Sequence, residues 1–134
     1  MTTKKKKTQA LSLRDAFETE FARREMERRE REEADRKQQE ADLASAQALH
    51  AAISADGDFL AKRALSADIR RYTVSLDHHD YRIAAYFEGG KASVTLSDKR
   101  TTHPGSAAPR KQETVESVED ALTVMAQFLA DETR

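Results

Sequence analysis

The sequence predicts an α+β protein in which a long, charged N-terminal helix precedes a three-stranded antiparallel β-meander that a C-terminal helix covers. Three patterns predict this fold class. Residues 12–56 contain neither proline nor glycine, residues 72–97 alternate apolar with polar side chains, and residues 118–129 repeat apolar side chains at helical spacing. The predicted organisation is a disordered basic tail at 1–11, a helical arm at 12–56 and a small α+β domain at 57–134.

The long helix has a start signal, a stop signal and its own charge pairing. Ser12 is a favourable N-cap with Asp15 at the capping-box position, and Asp56-Gly57 supplies a stop. Five acid–base pairs, with the acid first, are spaced i, i+4, which stabilises a helix that lies in water. They are Glu20–Arg24, Glu25–Arg29, Glu27–Arg31, Glu32–Arg36 and Glu33–Lys37. No heptad register fills the a and d positions between 27 and 42, so we predict a solvated helix or a disordered arm there rather than a stable coiled coil.

A short apolar patch opens the arm. Leu13, Phe17 and Phe21 recur every four residues, and Met26 follows nearby. Large apolar side chains on an otherwise charged helix need burial against another surface. We therefore predict that Leu13, Phe17, Phe21 and Met26 bind a partner.

The β-meander is the clearest pattern in the chain. Its three runs place apolar side chains at every second position. These are Tyr72, Val74 and Leu76, then Tyr81, Ile83, Ala85 and Phe87, then Ala92, Val94 and Leu96. The glycine pair at 89–90 predicts a tight turn that places Phe87 opposite Ala92, and a turn on the two histidines places Leu76 opposite Tyr81. Both registers put every apolar side chain on one face of the sheet.

The last part of the chain supplies the cover for that face. Residues 98–113 are polar and predict a loop, with a short edge strand near 112–115. Ser117 is the expected N-cap of the final helix. Its predicted buried stripe is Val118, Ala121, Leu122, Met125, Phe128 and Leu129. We expect Phe59, Leu60 and Leu65 to fill the junction with the first helix.

Composition argues against several classes of function. The chain has no cysteine, and its net charge is −1. It also lacks a phosphate-binding glycine loop and a nucleophile elbow, so we predict that it is not an enzyme and needs no cofactor. No run approaches the length of a membrane span. Together with the missing cysteines, this predicts a cytoplasmic protein.

Two further groups of polar residues offer alternative functions. Arg71, Arg82 and Tyr86 on the outer sheet face, with Lys99 and Arg100 beyond it, could contact nucleic acid together with the lysines at 4–7. The Asp77-His78-His79-Asp80 segment is expected to be a polar turn, and whether it binds a metal stays open.

The order of helix, meander and helix resembles the topology of double-stranded RNA-binding domains. In that family a basic cluster lies where the last helix begins. Here the same place carries Glu113, Glu116, Glu119 and Asp120, so we assign no membership.

The function that these patterns favour is a non-enzymatic protein–protein interaction or adaptor module. The α+β domain would be the anchor, and the arm would present its apolar patch to another protein or to a second copy of the chain. The alternative is a nucleic-acid-binding protein that uses the outer sheet face and the basic tail.

Overall fold

The computed structural model describes residues 12–100 and 108–133 of the chain. Within them the element order is helix, short helix, five strands and helix, which confirms the predicted α+β class and the long first helix. The helices are α1 (Leu13–Ser54), α2 (Gly57–Lys62) and α3 (Val118–Glu132). The strands are β1 (Ser66–Arg70), β2 (Thr73–Asp77), β3 (Tyr81–Glu88), β4 (Lys91–Asp98) and β5 (Ala108–Val115). The basic tail at 1–11 lies outside the described residues.

The sheet has five strands, not the three predicted. They are antiparallel and follow chain order, β1-β2-β3-β4-β5. The two additional strands are the edges: β1 is absent from the prediction, and β5 confirms the edge strand expected near 112–115 but already begins at Ala108. Neither strand has an apolar face that alternates cleanly. In β1 only Ala67 and Ile69 pack partly on the core. In β5 the residues opposite core positions include Lys111 and Glu113. Charged residues on edge strands are common because they discourage pairing with other chains.

The register of the second hairpin is confirmed, and that of the first is shifted by two residues. Phe87 lies opposite Ala92, as the glycine turn predicts. Leu76 lies opposite Ile83 rather than Tyr81. A shift of two keeps every side chain on its own face, so the apolar pattern is equally satisfied by both registers.

Two tight turns use left-handed backbone. Gly89 and Gly90 have φ of 61° and 81°, a conformation that glycine adopts without strain. Between β1 and β2 the turn residues are Arg71 and Tyr72, and Arg71 has φ of 52°. Because Arg71 is neither glycine nor asparagine, this turn carries no sequence signal, which is why β1 is absent from the prediction and Tyr72, expected in the first strand, lies in the turn.

The core lies between one face of the sheet and α3. Val74, Ile83 and Leu96 are fully buried there. Helix α3 begins as predicted, since the Asp120 N–H donates to Ser117 Oγ at 3.0 Å. The predicted stripe of α3 holds except for Leu122, which is exposed, and Val124 is buried as well.

Residues of the described chain divide between Lys37 and Gln38 into two compact units. The first unit contains the start of α1, where the Asp15 N–H donates to Ser12 Oγ at 3.0 Å and confirms the cap. The second unit contains the end of α1 together with the sheet, α2 and α3. In this unit Ala46, Leu49 and Ile53 join the core.

A buried carboxylate connects the second part of α1 to a sheet turn. Asp42 is only 5% exposed. Its two oxygens accept the backbone N–H groups of Gly89 and Gly90, each at 2.9 Å, and the amide of Gln38 at 3.0 Å. A buried charge needs such partners, because without them the loss of hydration would destabilise the fold. This contact lies close to the start of the second unit at Gln38.

Helix α2 ends in a Schellman-type arrangement without glycine. The Leu65 N–H donates to the Leu60 carbonyl at 2.9 Å, and Ala64 takes the left-handed position with φ of 57°. Leu65 is buried and Leu60 partly so, but Phe59, which was expected to fill the same junction, is 45% exposed.

Candidate functional site

Three apolar side chains near the start of α1 form an exposed ridge on one face of the helix. Leu13, Phe17 and Phe21 are 86%, 60% and 54% exposed. The rings of Phe17 and Phe21 are stacked, with centroids 5.6 Å apart and planes 24° from parallel. The spacing of four residues produces this alignment, because residues i and i+4 lie one above the other on a helix. We call these three residues the N-terminal apolar ridge.

Met26, predicted as part of the same patch, does not share this face. It follows Phe17 by nine residues, which is two and a half turns of a helix with 3.6 residues per turn. Its side chain is therefore directed away from the ridge, although it is 63% exposed. Met26 becomes a matched control for experiments on the ridge.

The charged side chains that follow the ridge are paired along the helix. Arg23 contacts both Glu20 and Glu27, and Arg28 contacts both Glu25 and Glu32. Each arginine thus bridges an acid three residues before it and another four residues after it. The hydrogen bond from Arg23 is the main reason that the pKa of Glu20 is lowered. These pairs stabilise the helix locally and leave the ridge as its apolar feature.

The residues predicted to contact nucleic acid lie at two separate places on the sheet. Arg71 is in the β1–β2 turn, beside the end of β3 that carries Tyr86, and its guanidinium lies 5.6 Å from the Tyr72 ring centroid. Arg82 lies at the other end of β3, four residues from Tyr86. Four residues of strand span about 13 Å, so these side chains do not converge on one site.

Within the described residues, three of the four predicted cations form ion pairs with carboxylates. Arg82 Nε and Lys99 Nζ lie 2.6 Å and 2.9 Å from the same oxygen of Asp77. Arg100 contacts Asp98 at 3.0 Å and Glu132 at 3.3 Å. A phosphate would have to compete with these acids.

The pKa values of two of these acids reflect the pairing. Partial burial of Asp77 opposes its ionisation, but hydrogen bonds from Lys99 and Arg82 prevail, so its pKa is lowered. The backbone N–H of Arg100, and then its guanidinium, lower the pKa of Asp98. Both carboxylates are therefore charged at neutral pH, and they contribute to stability in that form.

The Asp77-His78-His79-Asp80 segment forms the turn between β2 and β3. His78 Nδ1 accepts the Asp80 N–H at 3.0 Å, and its ring stacks on Tyr81 with centroids 4.6 Å apart. Asp77 is already engaged by its two cations. Across 12–100 and 108–133, no three histidine or acidic side chains are placed to hold a metal ion together.

An apolar groove in the second unit has no clear signal in the sequence. It is bounded by the end of α1, by α2 and by α3, and it has a volume of about 450 Å³. Phe59 and Leu122 at this groove are 45% and 40% exposed. The remaining lining side chains include Ile53, Leu60, Leu76, Met125 and Leu129, with Asp56 and Arg63 as its charged members. The sequence places Leu122 in the buried stripe of the last helix, so its exposure at the groove could not be predicted.

Comparisons with known proteins assign no relatives to this chain. No protein-family model, no curated protein and no solved structure matches it. A search of the helices in the described residues found none with the length and apolar character needed to cross a membrane.

Proposed function

We propose that this chain is a non-enzymatic protein–protein interaction module. The second unit is the folded anchor, and the start of α1 presents the N-terminal apolar ridge to another protein. The observation that supports the proposal is the exposure of Leu13, Phe17 and Phe21 along one helix face. Burying one such side chain stabilises a complex by roughly 1.5–3 kcal/mol. Removing the three side chains from water would therefore contribute substantially to the binding free energy.

The ridge has the geometry of a helix that docks in a groove. Its three side chains span two turns, or about 12 Å along the helix axis. Amphipathic helices that bind partner proteins use anchors with this spacing. The Phe17–Phe21 stack is already formed, so less side-chain freedom is lost on binding.

We do not extend the proposal to nucleic acid. Within the described residues, Arg82, Lys99 and Arg100 are each paired with an acid, so a phosphate would have to displace Asp77 or Asp98 to reach them. Phosphate contacts stabilise a complex when lysine or arginine side chains neutralise phosphates and so release the counterions held by the nucleic acid.

The test is a quantitative affinity purification from lysate with three baits. These are the full wild-type chain, the double variant Phe17→Ser/Phe21→Ser, and the control Met26→Ser, each treated with nuclease. We expect specific proteins to be retained by the wild type and the control, and to be lost with the double variant. Circular dichroism of each bait checks that α1 remains helical. Identical retention by all three baits would contradict the proposal, and removal by nuclease would favour nucleic acid instead.

A further inference from the structure

The apolar groove of the second unit is a concave surface that the proposed binding through the ridge does not use. Ile53 reaches it from α1, Leu60 from α2, and Met125 and Leu129 from α3. Its volume of about 450 Å³ falls within the range of natural binding pockets. An apolar surface of this kind in water marks a binding site when it is rimmed by polar groups.

The exposed apolar side chains of the described residues concentrate in two places. Seven large ones are exposed, of which four are on the first part of α1 and two, Phe59 and Leu122, are at the groove. The seventh is Tyr86, on the outer face of the sheet. A single chain thus carries both a convex aromatic helix face and a concave apolar groove, which are the two halves of a helix-in-groove contact.

The charges at the groove match those beside the ridge. Asp56 and Arg63 line the groove and supply one charge of each sign. The turns that carry the ridge hold both signs, including Arg14 and Glu20 on opposite flanks of Phe17. Arg14 pairs with Glu18, and Glu20 pairs with Arg23 and Arg24, but exposed pairs of this kind contribute little. A helix docked in the groove can therefore exchange them, presenting Glu20 to Arg63 and Arg14 to Asp56.

The Arg63 guanidinium is also placed to meet an aromatic side chain. It lies 5.3 Å from the ring centroid of Phe59. A guanidinium is planar and has two faces, so one face can stack on Phe59 while the other receives a second ring. Phe17 or Phe21 of an incoming helix would supply that ring.

We propose that the N-terminal apolar ridge of one molecule binds in the apolar groove of a second copy of the chain. This inference rests on the proposed function, because it names the partner of the same ridge. The contact is heterologous: each molecule offers two different surfaces, so association continues head to tail or closes into a ring.

The test is sedimentation velocity on full chains over a concentration series that reaches several hundred micromolar. The ridge variant is Phe17→Ser/Phe21→Ser, the groove variants are Leu122→Glu and Phe59→Ser, and Met26→Ser is the control. We expect the wild type and control to associate, and the ridge variant to lose about 100-fold or more in association constant. Because Phe59 and Leu122 are exposed, changing them should preserve folding, which circular dichroism verifies.

A mixture of the ridge variant with a groove variant tests whether the ridge of one molecule binds the groove of another. A ridge variant keeps an intact groove, and a groove variant keeps an intact ridge, so an equimolar mixture should form one-to-one dimers and nothing larger. If the groove variants associate like the wild type while the ridge variant does not, the ridge still binds a protein but the groove is not its site. A wild-type chain that stays monomeric throughout overturns the second copy as the occupant, while the lysate experiment still tests the ridge separately.

Discussion

Replacing Asp42 by alanine tests how α1 is attached to the sheet. The Asp42 carboxylate is buried and accepts the N–H groups of Gly89 and Gly90 at the β3–β4 turn. Alanine removes both acceptors and the contact with Gln38. We expect the turn to keep its shape but to lose its hydrogen bonds to the helix.

The size of the effect follows from these bonds. A hydrogen bond to a charged group contributes about 1.5–3 kcal/mol net. Gly89 and Gly90 are exposed, so water replaces part of what the carboxylate provided. We therefore expect Asp42→Ala to lower the free energy of unfolding by about 2–4 kcal/mol, near the lower end of the range for two such bonds. For a unit of this size that corresponds to a drop in Tm of roughly 10–25 °C.

Tyrosine fluorescence is the suitable assay for this variant. All three tyrosines, Tyr72, Tyr81 and Tyr86, lie in the second unit, and the chain has no tryptophan, so urea unfolding by this signal reports that unit alone. Asp42→Asn keeps one acceptor oxygen and should lose about half as much stability. The control is Glu40→Ala, at an exposed position of the same helix.

Hydrogen exchange adds a local readout to the same experiment. The amides of Gly89 and Gly90 should exchange faster in Asp42→Ala than in the wild type. An unfolding free energy for Asp42→Ala within about 0.5 kcal/mol of wild type, as surface substitutions show, would refute the reasoning.

Three other changes test the second unit. Ala64→Gly should stabilise it by about 0.5–1 kcal/mol, because glycine adopts the left-handed conformation of Ala64 without strain. Ala61→Gly, inside α2, should instead destabilise it. Urea midpoints that shift in the same direction for both variants would contradict this explanation. Asp77 has a lowered pKa, so its contribution to stability is present above about pH 4 and is lost on further acidification. The free energy of unfolding should therefore fall less steeply with acidification in Asp77→Asn than in the wild type. Parallel plots of unfolding free energy against pH would count against this explanation. Fragment 38–134 should unfold cooperatively, while 57–134 should be markedly less stable or unfolded, because it lacks three core side chains of α1; equal stability of the two fragments would place the anchor's start after α1.

The sequence predicted which face of each strand is buried better than it predicted which residues lie opposite each other on neighbouring strands. Alternation in β3 and β4 has period two, and a glycine pair fixes one turn, so the register at Phe87 and Ala92 could be read directly. The β2–β3 turn has no glycine, and its observed pairing of Leu76 with Ile83 differs from the predicted one by a whole period. Apolar pattern cannot distinguish registers that differ by two residues.

The edge strands were only partly predictable, because their stability comes from one neighbour and little burial: β1 is absent from the prediction, and β5 is expected only near 112–115. Lys111 in β5 illustrates this: its Nζ lies 2.6 Å from Asp131, and 5.7 Å from the ring centroid of Phe128. A lysine whose ammonium group lies over a core aromatic ring reads as a polar loop residue in the sequence. The candidate binding surfaces also differ in how far the sequence predicts them. The ridge follows from helical spacing, whereas the groove depends on how three helices pack.

The two sets of residues lead to opposite expectations for binding and stability. Phe17 and Phe21 are more than half exposed, so changing them removes little buried area and should leave unfolding of the second unit unchanged. Asp42 makes no contribution to the ridge, so Asp42→Ala should retain binding at temperatures where the second unit is still folded. If the ridge variant instead destabilised the second unit as strongly as Asp42→Ala, the phenylalanines would belong to the fold, and their exposure would not indicate a partner. Independent loss of binding in one variant and of stability in the other is therefore the pattern that separates a recognition surface from a structural one.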